Sequence, residues 1–188
     1  MAADDTPMTD EQARALLAAA ELLYSAQDIQ AALEELAAAI TARLSGQRPL
    51  VLTVMGGAVI FAGQLLPRLA FPLECDYLHA TRYGPATLGG EVSWLAEPHL
   101  PVAGRTVLVL DDILDEGMTL AAIRDWLLGH GARRCLIAVL AEKEIGRPRP
   151  VSADFVGLRL PNCYVFGCGM DVRGLWRNLP AIYALNER

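Results

Sequence analysis

A run of apolar residues followed by a cluster of acids constrains the fold of this chain more than any other feature. Residues 107–110 are apolar and partly β-branched, which is typical of a strand buried in a parallel sheet. Four acids follow within six positions: Asp111, Asp112, Asp115 and Glu116. Gly117 then permits a tight turn, and Thr119 is expected to open a helix. The segment therefore predicts a strand, an acidic loop and a helix in an α/β fold.

The start of that helix is a suitable place to hold an anion. Backbone N–H groups and the helix dipole face a ligand there, and the hydroxyl of Thr119 can donate a further hydrogen bond. Acids are unusual at a phosphate site, so we interpret the segment as combining two tasks. The amides hold a phosphate, while Asp111 and Asp112 hold a sugar diol or a hydrated cation. Helix capping alone would account for one acid but not for four.

Further apolar patterns predict the rest of the fold. Strands are expected over residues 49–54, 73–80, 91–95 and 134–140, and short strands over residues 153–157, 164–167 and 181–185, the last at a sheet edge. Helices are expected from a capping box at residues 9–12 through Tyr24, from Ser25 or Asp28 to Gly46, from Ala58 to Pro67, and near residues 118–130. We expect one domain over residues 1–188, with a central, mostly parallel twisted sheet flanked by helices, and a small hood formed mainly by about residues 150–188.

Three segments fall at the carboxyl ends of predicted strands. They are the Met55, Gly56 and Gly57 turn, residues 111–119, and Lys143. In open α/β sheets ligands bind beyond these strand ends, so we expect one shared site. Lys143 is the only lysine in a chain with fifteen arginines, which makes it a candidate for a task that a forked guanidinium does not fit.

Composition limits the classes of function. The net charge of −6 argues against a nucleic-acid surface, and no apolar run has the length of a membrane span. The acidic N-terminus does not resemble a signal peptide. The four cysteines lack the spacing of a metal motif and are expected to be free core thiols in a reducing cytosol, so a cytoplasmic location is expected.

Residues 105–119 resemble the binding loop for 5-phosphoribosyl 1-diphosphate of the type I phosphoribosyltransferases. From about residue 20 to residue 185 the chain resembles the hypoxanthine-guanine phosphoribosyltransferase family. Four further segments carry this resemblance: residues 54–57 (the first, diphosphate-binding loop), 77–84 (the start of a flexible catalytic loop), 154–171 (the purine-binding hood) and 176–180 (the closing motif). Their order and spacing favour the purine branch over the uracil, orotate and adenine branches.

The resemblance implies a Mg²⁺-dependent purine-salvage enzyme. It would transfer the 5-phosphoribosyl group of 5-phosphoribosyl 1-diphosphate to N9 of hypoxanthine or guanine, giving IMP or GMP and diphosphate. Departure of diphosphate leaves an oxocarbenium-like ribose, which requires stabilised charge and a base held in line. The expected partners are these small molecules, with no nucleic acid and no membrane, and a homodimer or homotetramer is expected.

The resemblance also assigns roles to residues. The residues expected to bind the ribosyl diphosphate are Met55, Gly56, Arg82, Tyr83, Asp111, Asp112, Asp115, Glu116, Gly117, Met118 and Thr119. The residues expected to bind the purine are Lys143, Tyr164, Val165 and Asp171, and the expected metal ligands are Asp111, Asp112 and Asp171. Asp115 would exchange a proton with purine N7 as the catalytic acid/base, and Arg177 would act on the diphosphate. Lys143 would donate to the 6-oxygen, which would exclude adenine.

Three residues depart from the family pattern. Met55 stands where many members have a basic residue, Arg82 where many have serine, and Cys163 where a basic or polar residue is common. Two alternatives stay open: an enzyme that prefers xanthine or hypoxanthine, and a nucleotide-sensing regulator that kept the fold without turnover. The acidic balance of the chain favours the enzyme, because an RNA-binding regulator is expected to have a basic face.

Overall fold

The protein is described by a computed structural model over residues 8–82 and 92–185. The helices are α1 (Asp10–Ala19), α2 (Ala26–Leu44), α3 (Ala58–Leu65) and α4 (Met118–Gly129), and a 3-10 turn over Leu66–Arg68 follows α3. The strands are β1 (Glu21–Tyr24), β2 (Leu50–Val54), β3 (Glu74–Arg82), β4 (Val92–Ala96), β5 (Thr106–Leu114), β6 (Arg134–Lys143), β7 (Phe155–Leu160), β8 (Val165–Phe166) and β9 (Ile182–Ala184).

The main sheet has six strands in the order β4-β3-β2-β5-β6-β7. Its pairs are parallel except for β3 with β4. Strand β5 lies inside the sheet, and alternate residues pack on opposite faces: Leu108 and Leu110 contact the core beneath α2 and α3, whereas Val107 and Val109 contact the core beneath α4. The prediction of a mostly parallel sheet flanked by helices is confirmed.

Helix α2 illustrates why the local sequence forms these elements. Ser25 and Asp28 form a capping box at its start, with the Ser25 side chain accepting from the Asp28 amide and the Asp28 carboxylate accepting from the Ser25 amide. Leucines and isoleucines at helical spacing are buried on one face: Ile29, Leu33, Leu36, Ile40 and Leu44. This stripe covers the side of the sheet opposite α4.

The small hood is a separate sheet in the order β1-β9-β8. Helical spacing predicts that Leu23 and Tyr24 continue the first helix, but α1 ends at Ala19 and both residues lie in β1, where pairing with β9 outweighs that spacing. The prediction that residues 181–185 form an edge strand is also wrong, because β9 lies between β1 and β8. The hood therefore includes an N-terminal strand together with β8 and β9. Strand β7 falls within the range predicted for the hood, about residues 150–188, but it belongs to the main sheet because it pairs with β6.

Strands β5 and β6 are longer than their apolar runs. Their parallel pairing continues through Asp111↔Val139 to Leu114↔Glu142, so Asp111 and Asp112 belong to β5 and Lys143 is the last residue of β6. Backbone pairing, rather than side-chain polarity, sets where these strands end. The polar side chains are consequently held on sheet strands instead of loops. The tip of the expected catalytic loop, residues 83–91, lies outside the described residues.

The cysteines agree in part with the compositional expectation. All four lie in the described part of the chain, and none forms a disulfide, as predicted. Cys168 is buried, and burial raises its pKa to about 11, whereas Cys75 is exposed and so is not a core thiol. Among the helices in residues 8–82 and 92–185, none is both long enough and apolar enough to cross a membrane.

Two glycines provide a matched test of the packing. A Cβ on Gly157 of β7 would lie 2.7 Å from the Leu140 carbonyl oxygen and 3.0 Å from Leu36 Cδ1, so Gly157→Ala should lower the free energy of unfolding by about 1–3 kcal/mol. Gly63 lies inside α3, and a Cβ there would meet nothing within 4 Å. Gly63→Ala should therefore stabilise by about 0.5–1 kcal/mol. Urea unfolding checks both, and shifts in the same direction would contradict this packing.

Candidate active site

A cavity of about 450 Å³ opens where β2 and β5 end. Its wall includes eight of the residues predicted to bind the ribosyl diphosphate: Met55, Asp111, Asp112, Asp115, Glu116, Gly117, Met118 and Thr119. Arg177 reaches the same cavity from the C-terminal segment. The turn after β2, the segment after β5 and Arg177 thus line one cavity.

A second cavity of about 250 Å³ adjoins the first. It is lined by all four residues predicted to bind the purine: Lys143, Tyr164, Val165 and Asp171. The two cavities share Asp112, Ile113, Asp115 and Arg177. One ligand with an anionic part and a planar part can therefore occupy both, with Asp115 and Arg177 at the junction.

Three predicted residues are not placed in these cavities. Gly56 does not line the first cavity, and its neighbour Gly57 does. The Met55–Gly56 peptide is cis, and the Met55 amide donates to the Leu78 carbonyl oxygen at 2.8 Å. The Arg82 side chain and Tyr83 lie outside the described residues.

The start of α4 has the form of an anion site. Gly117 adopts φ +80°, which places it in the left-handed region, and α4 begins at Met118 rather than at Thr119. Among the residues that the structure describes, no side chain caps this end of the helix. The first-turn amides are thus left for a ligand, and the helix dipole favours an anion there.

Asp111 and Asp112 lie side by side at the end of β5. The Asp112 amide donates to Asp111 Oδ1 at 3.0 Å, and the Ile113 amide donates to Asp112 Oδ1 at 2.9 Å. Loss of hydration raises the pKa of Asp111 well above its ordinary value, and the Asp112 carboxylate adds to this rise. Burial also raises the pKa of Asp112, against the opposing charge of Arg177. Such a pair can hold a hydrated cation or a sugar diol.

The predicted metal ligands are only partly brought together. Within the described residues, no group of three or more His, Cys, Asp or Glu side chains is arranged to hold a metal ion. The Asp171 carboxylate instead contacts Arg177 Nη2 at 2.6 Å and accepts from the Gly174 amide at 2.7 Å. Mg²⁺ commonly takes one or two carboxylates together with substrate phosphates. Asp111 and Asp112 fit a metal of that kind, whereas Asp171 is engaged elsewhere.

Lys143 and Asp115 form a close ion pair. Lys143 Nζ lies 2.6 Å from Asp115 Oδ2, with 12% of the lysine side chain and 44% of the aspartate side chain exposed. One residue ends β6 and the other directly follows β5, its neighbour in the sheet. The pair can present a hydrogen-bond donor and an acceptor to the same planar ligand.

The hood packs directly on the turn after β2. Arg177 Nη1 donates to the Gly169 carbonyl oxygen at 2.7 Å, and the Gly169 amide donates to the Arg177 carbonyl oxygen at 2.9 Å. A Cβ on Gly169 would lie 2.2 Å from the Gly57 carbonyl oxygen. Tyr164 donates to the Asp171 carbonyl oxygen at 3.2 Å and is 45% exposed, so its ring is available to stack on a planar ligand.

Sequence reasoning misses three residues that shape the site. Gly57 falls in the predicted turn without an assigned role, although two glycines after a buried strand are a signal of close approach. Gly169 is recognisable from the sequence only as part of a turn. Arg149 lies in an irregular connection rich in Gly and Pro, and it donates to the Asp115 carbonyl oxygen. No sequence pattern points to Arg149.

The contact between Gly57 and Asp112 yields a test of the site. A Cβ on Gly57 would lie 2.0 Å from Asp112 Oδ2, so Gly57→Ala must displace a carboxylate that is only 8% exposed. We expect binding of 5-phosphoribosyl 1-diphosphate with Mg²⁺, measured by calorimetry, to weaken at least about tenfold, or 1.4 kcal/mol. In Gly56→Ala the added Cβ would meet none of the described residues within 4 Å, so the loss should be smaller. Unchanged affinity of Gly57→Ala would contradict the importance of this contact.

Known solved structures share this architecture. A hypoxanthine-guanine-xanthine phosphoribosyltransferase superposes with a TM-score of 0.81 at 32% identity, covering 89% of this chain and 97% of that one. A hypoxanthine phosphoribosyltransferase from Staphylococcus aureus gives a TM-score of 0.85 at 29% identity, covering 96% of this chain and 97% of that one.

Sequence comparisons agree with the structural ones. The family model described as a phosphoribosyl transferase domain matches residues 19–173. The bifunctional protein TilS/HprT of Listeria innocua is 36% identical over 163 residues, which are 86% of this chain but only 25% of that protein, so this chain spans about a quarter of its length. The hypoxanthine-guanine phosphoribosyltransferase of Bacillus subtilis is 34% identical over 166 residues, 88% of this chain and 92% of that one. The chain therefore belongs to the hypoxanthine-guanine phosphoribosyltransferase family.

Proposed function

We propose that the protein is a purine-salvage enzyme that joins the 5-phosphoribosyl group of 5-phosphoribosyl 1-diphosphate to N9 of hypoxanthine or guanine. The products are IMP or GMP and diphosphate. The observation that carries this proposal is the Lys143–Asp115 pair, 2.6 Å apart, at the junction between an anion-binding cavity and a cavity with an exposed tyrosine ring. A ligand with an oxo group beside a ring nitrogen fits a neighbouring ammonium and carboxylate.

The first cavity is suited to the ribosyl diphosphate. The amides of residues 116–119 hold the 5′-phosphate at the start of α4, and Asp111 and Asp112 hold the ribose hydroxyls and a hydrated Mg²⁺. When bound, Mg²⁺ neutralises charge on the departing diphosphate. Arg177 lines both cavities and can donate to the same diphosphate. In this arrangement Asp171 holds Arg177 in place. Asp171 could act as a metal ligand only after its ion pair with Arg177 is broken.

The second cavity is suited to the base. Lys143 donates to the 6-oxygen, Tyr164 stacks on the ring, and backbone groups of Val165 meet the edge of the base. As N9 forms its bond to C1′ and the bond from C1′ to diphosphate breaks, the proton on N7 passes to the Asp115 carboxylate. Adenine offers an amino group at position 6, which cannot accept from the lysine ammonium.

We also propose a cytoplasmic homodimer or homotetramer. The four cysteines form no disulfide within the described residues, which suits a reducing compartment. Several large apolar side chains are exposed on the described surface, among them Leu22, Val59 and Leu95, and burial against another copy would remove them from water.

Tyr83 and Arg82 remain proposed contacts of the ribosyl diphosphate.

The proposal is tested by diphosphate release with 5-phosphoribosyl 1-diphosphate, Mg²⁺ and each of hypoxanthine, guanine, xanthine and adenine. Xanthine belongs in this panel because one structural relative is named as a hypoxanthine-guanine-xanthine phosphoribosyltransferase. We expect turnover with 6-oxopurines and none with adenine. Asp115→Asn should lose about 10²–10⁴-fold in turnover, as removal of a general acid/base does, while it still binds the ribosyl diphosphate. If the wild type released no diphosphate with any of the four bases but still bound the ribosyl diphosphate, the result would instead favour a nucleotide-sensing regulator.

A further inference from the structure

Arg149 contacts the backbone on both sides of the Lys143–Asp115 pair. It lies in the connection between β6 and β7, and 13% of its side chain is exposed. Its Nε donates to the Asp115 carbonyl oxygen and its Nη2 to the Lys143 carbonyl oxygen. Nη2 also lies 3.5 Å from the Leu114 carbonyl oxygen. The planar guanidinium of Arg149 thus links the segment after β5, which carries Asp115, to the end of β6, which carries Lys143.

These contacts begin where the sheet ladder ends. The register of β5 with β6 stops at the pair Leu114↔Glu142, so Asp115 and Lys143 lie one position beyond the last pair. Arg149 donates across this junction to both carbonyl oxygens, and the Lys143 carbonyl oxygen also accepts from the Ile145 amide at 3.1 Å. Arg149 supplies several N–H donors in a fixed fork, which replaces the missing ladder bonds with side-chain bonds.

The orientation of Arg149 is itself fixed. Its Nη1 donates to Glu142 Oε1 at 2.8 Å, and the Glu142 side chain is also 13% exposed. Arg159 contacts the other carboxylate oxygen of Glu142. If Arg149 is replaced, Glu142 therefore still has Arg159 as a cationic partner. The effect of losing the bonds to the backbone carbonyls can then be measured without the effect of an unpaired buried charge.

We infer that Arg149 is a positioning residue, which holds Asp115 and Lys143 at the separation that the purine requires. The expected loss of activity rests on the proposed function, whereas the expected loosening of the loop rests on the contacts of Arg149 alone. The phosphate-binding amides of Met118 and Thr119 depend less on Arg149, because they belong to α4, whose first turn is closed by the Ala121 amide donating to the Gly117 carbonyl oxygen at 2.9 Å. Base recognition should suffer more than binding of the ribosyl diphosphate.

The kinetic test compares Arg149→Met with a matched control, Arg159→Met, which removes a cation from Glu142 but no bond to the loop. We expect kcat/KM for hypoxanthine to fall about 10–100-fold in Arg149→Met, the scale of a small misplacement of reacting groups. The dissociation constant of 5-phosphoribosyl 1-diphosphate should change less than about threefold. Arg149→Lys should keep most of the defect, because a compact ammonium lacks the planar fork that contacts the two carbonyl oxygens and Glu142 together.

Hydrogen exchange supplies a readout that does not depend on turnover. In Arg149→Met the amides of Asp115 and Ile145, which lie in the loops directly after β5 and β6, should exchange faster than in the wild type, while those of β5 and β6 stay protected. Equal defects in Arg149→Met and Arg159→Met, full rescue by Arg149→Lys, or unchanged exchange in the loop would each overturn the inference. If the wild type turns over no base, the proposed function fails, and the exchange experiment alone decides the role of Arg149.

Discussion

Parallel pairing between β5 and β6 fixes the geometry on which the site depends. The register runs from Thr106↔Arg134 to Leu114↔Glu142 without a break that would shift either strand. A slip of one residue would turn every side chain to the other face of the sheet and would separate Asp115 from Lys143. The apolar residues of both strands, packed between helices on two faces, hold this register. The polar side chains at the carboxyl ends of β5 and β6 are thus positioned by the buried apolar residues earlier in the same strands.

Close backbone packing connects the main sheet to the hood. Gly57 leaves room for the Asp112 carboxylate, and Gly169 of the C-terminal segment approaches the Gly57 carbonyl oxygen from the other side. Arg177 is tied to Gly169 by reciprocal backbone and side-chain hydrogen bonds. The turn after β2, the acidic pair and the arginine therefore form one packed unit, although they come from distant parts of the sequence.

The sequence is sufficient for the elements with local signals, but not for those that long-range pairing decides. The capping boxes and the buried stripe of α2 are recognisable, as is the strand that carries Asp111. The role of β1 is not, because Leu23 and Tyr24 suit a helix and become a strand only by pairing with β9. The predicted site residues belong to recognisable sequence patterns, whereas Arg149 belongs to no such pattern. Its partners are carbonyl oxygens, which every residue has.

We propose that Lys143, held beside Asp115, selects a 6-oxopurine. The most direct test is calorimetric binding of IMP and AMP to the wild type and to Lys143→Met, which requires no turnover. A hydrogen bond to a charged group contributes about 1.5–3 kcal/mol, so the wild type should prefer IMP at least about tenfold. Lys143→Met should lose most of that preference while its affinity for AMP changes little. A variant that still prefers IMP as strongly as the wild type would contradict the claim.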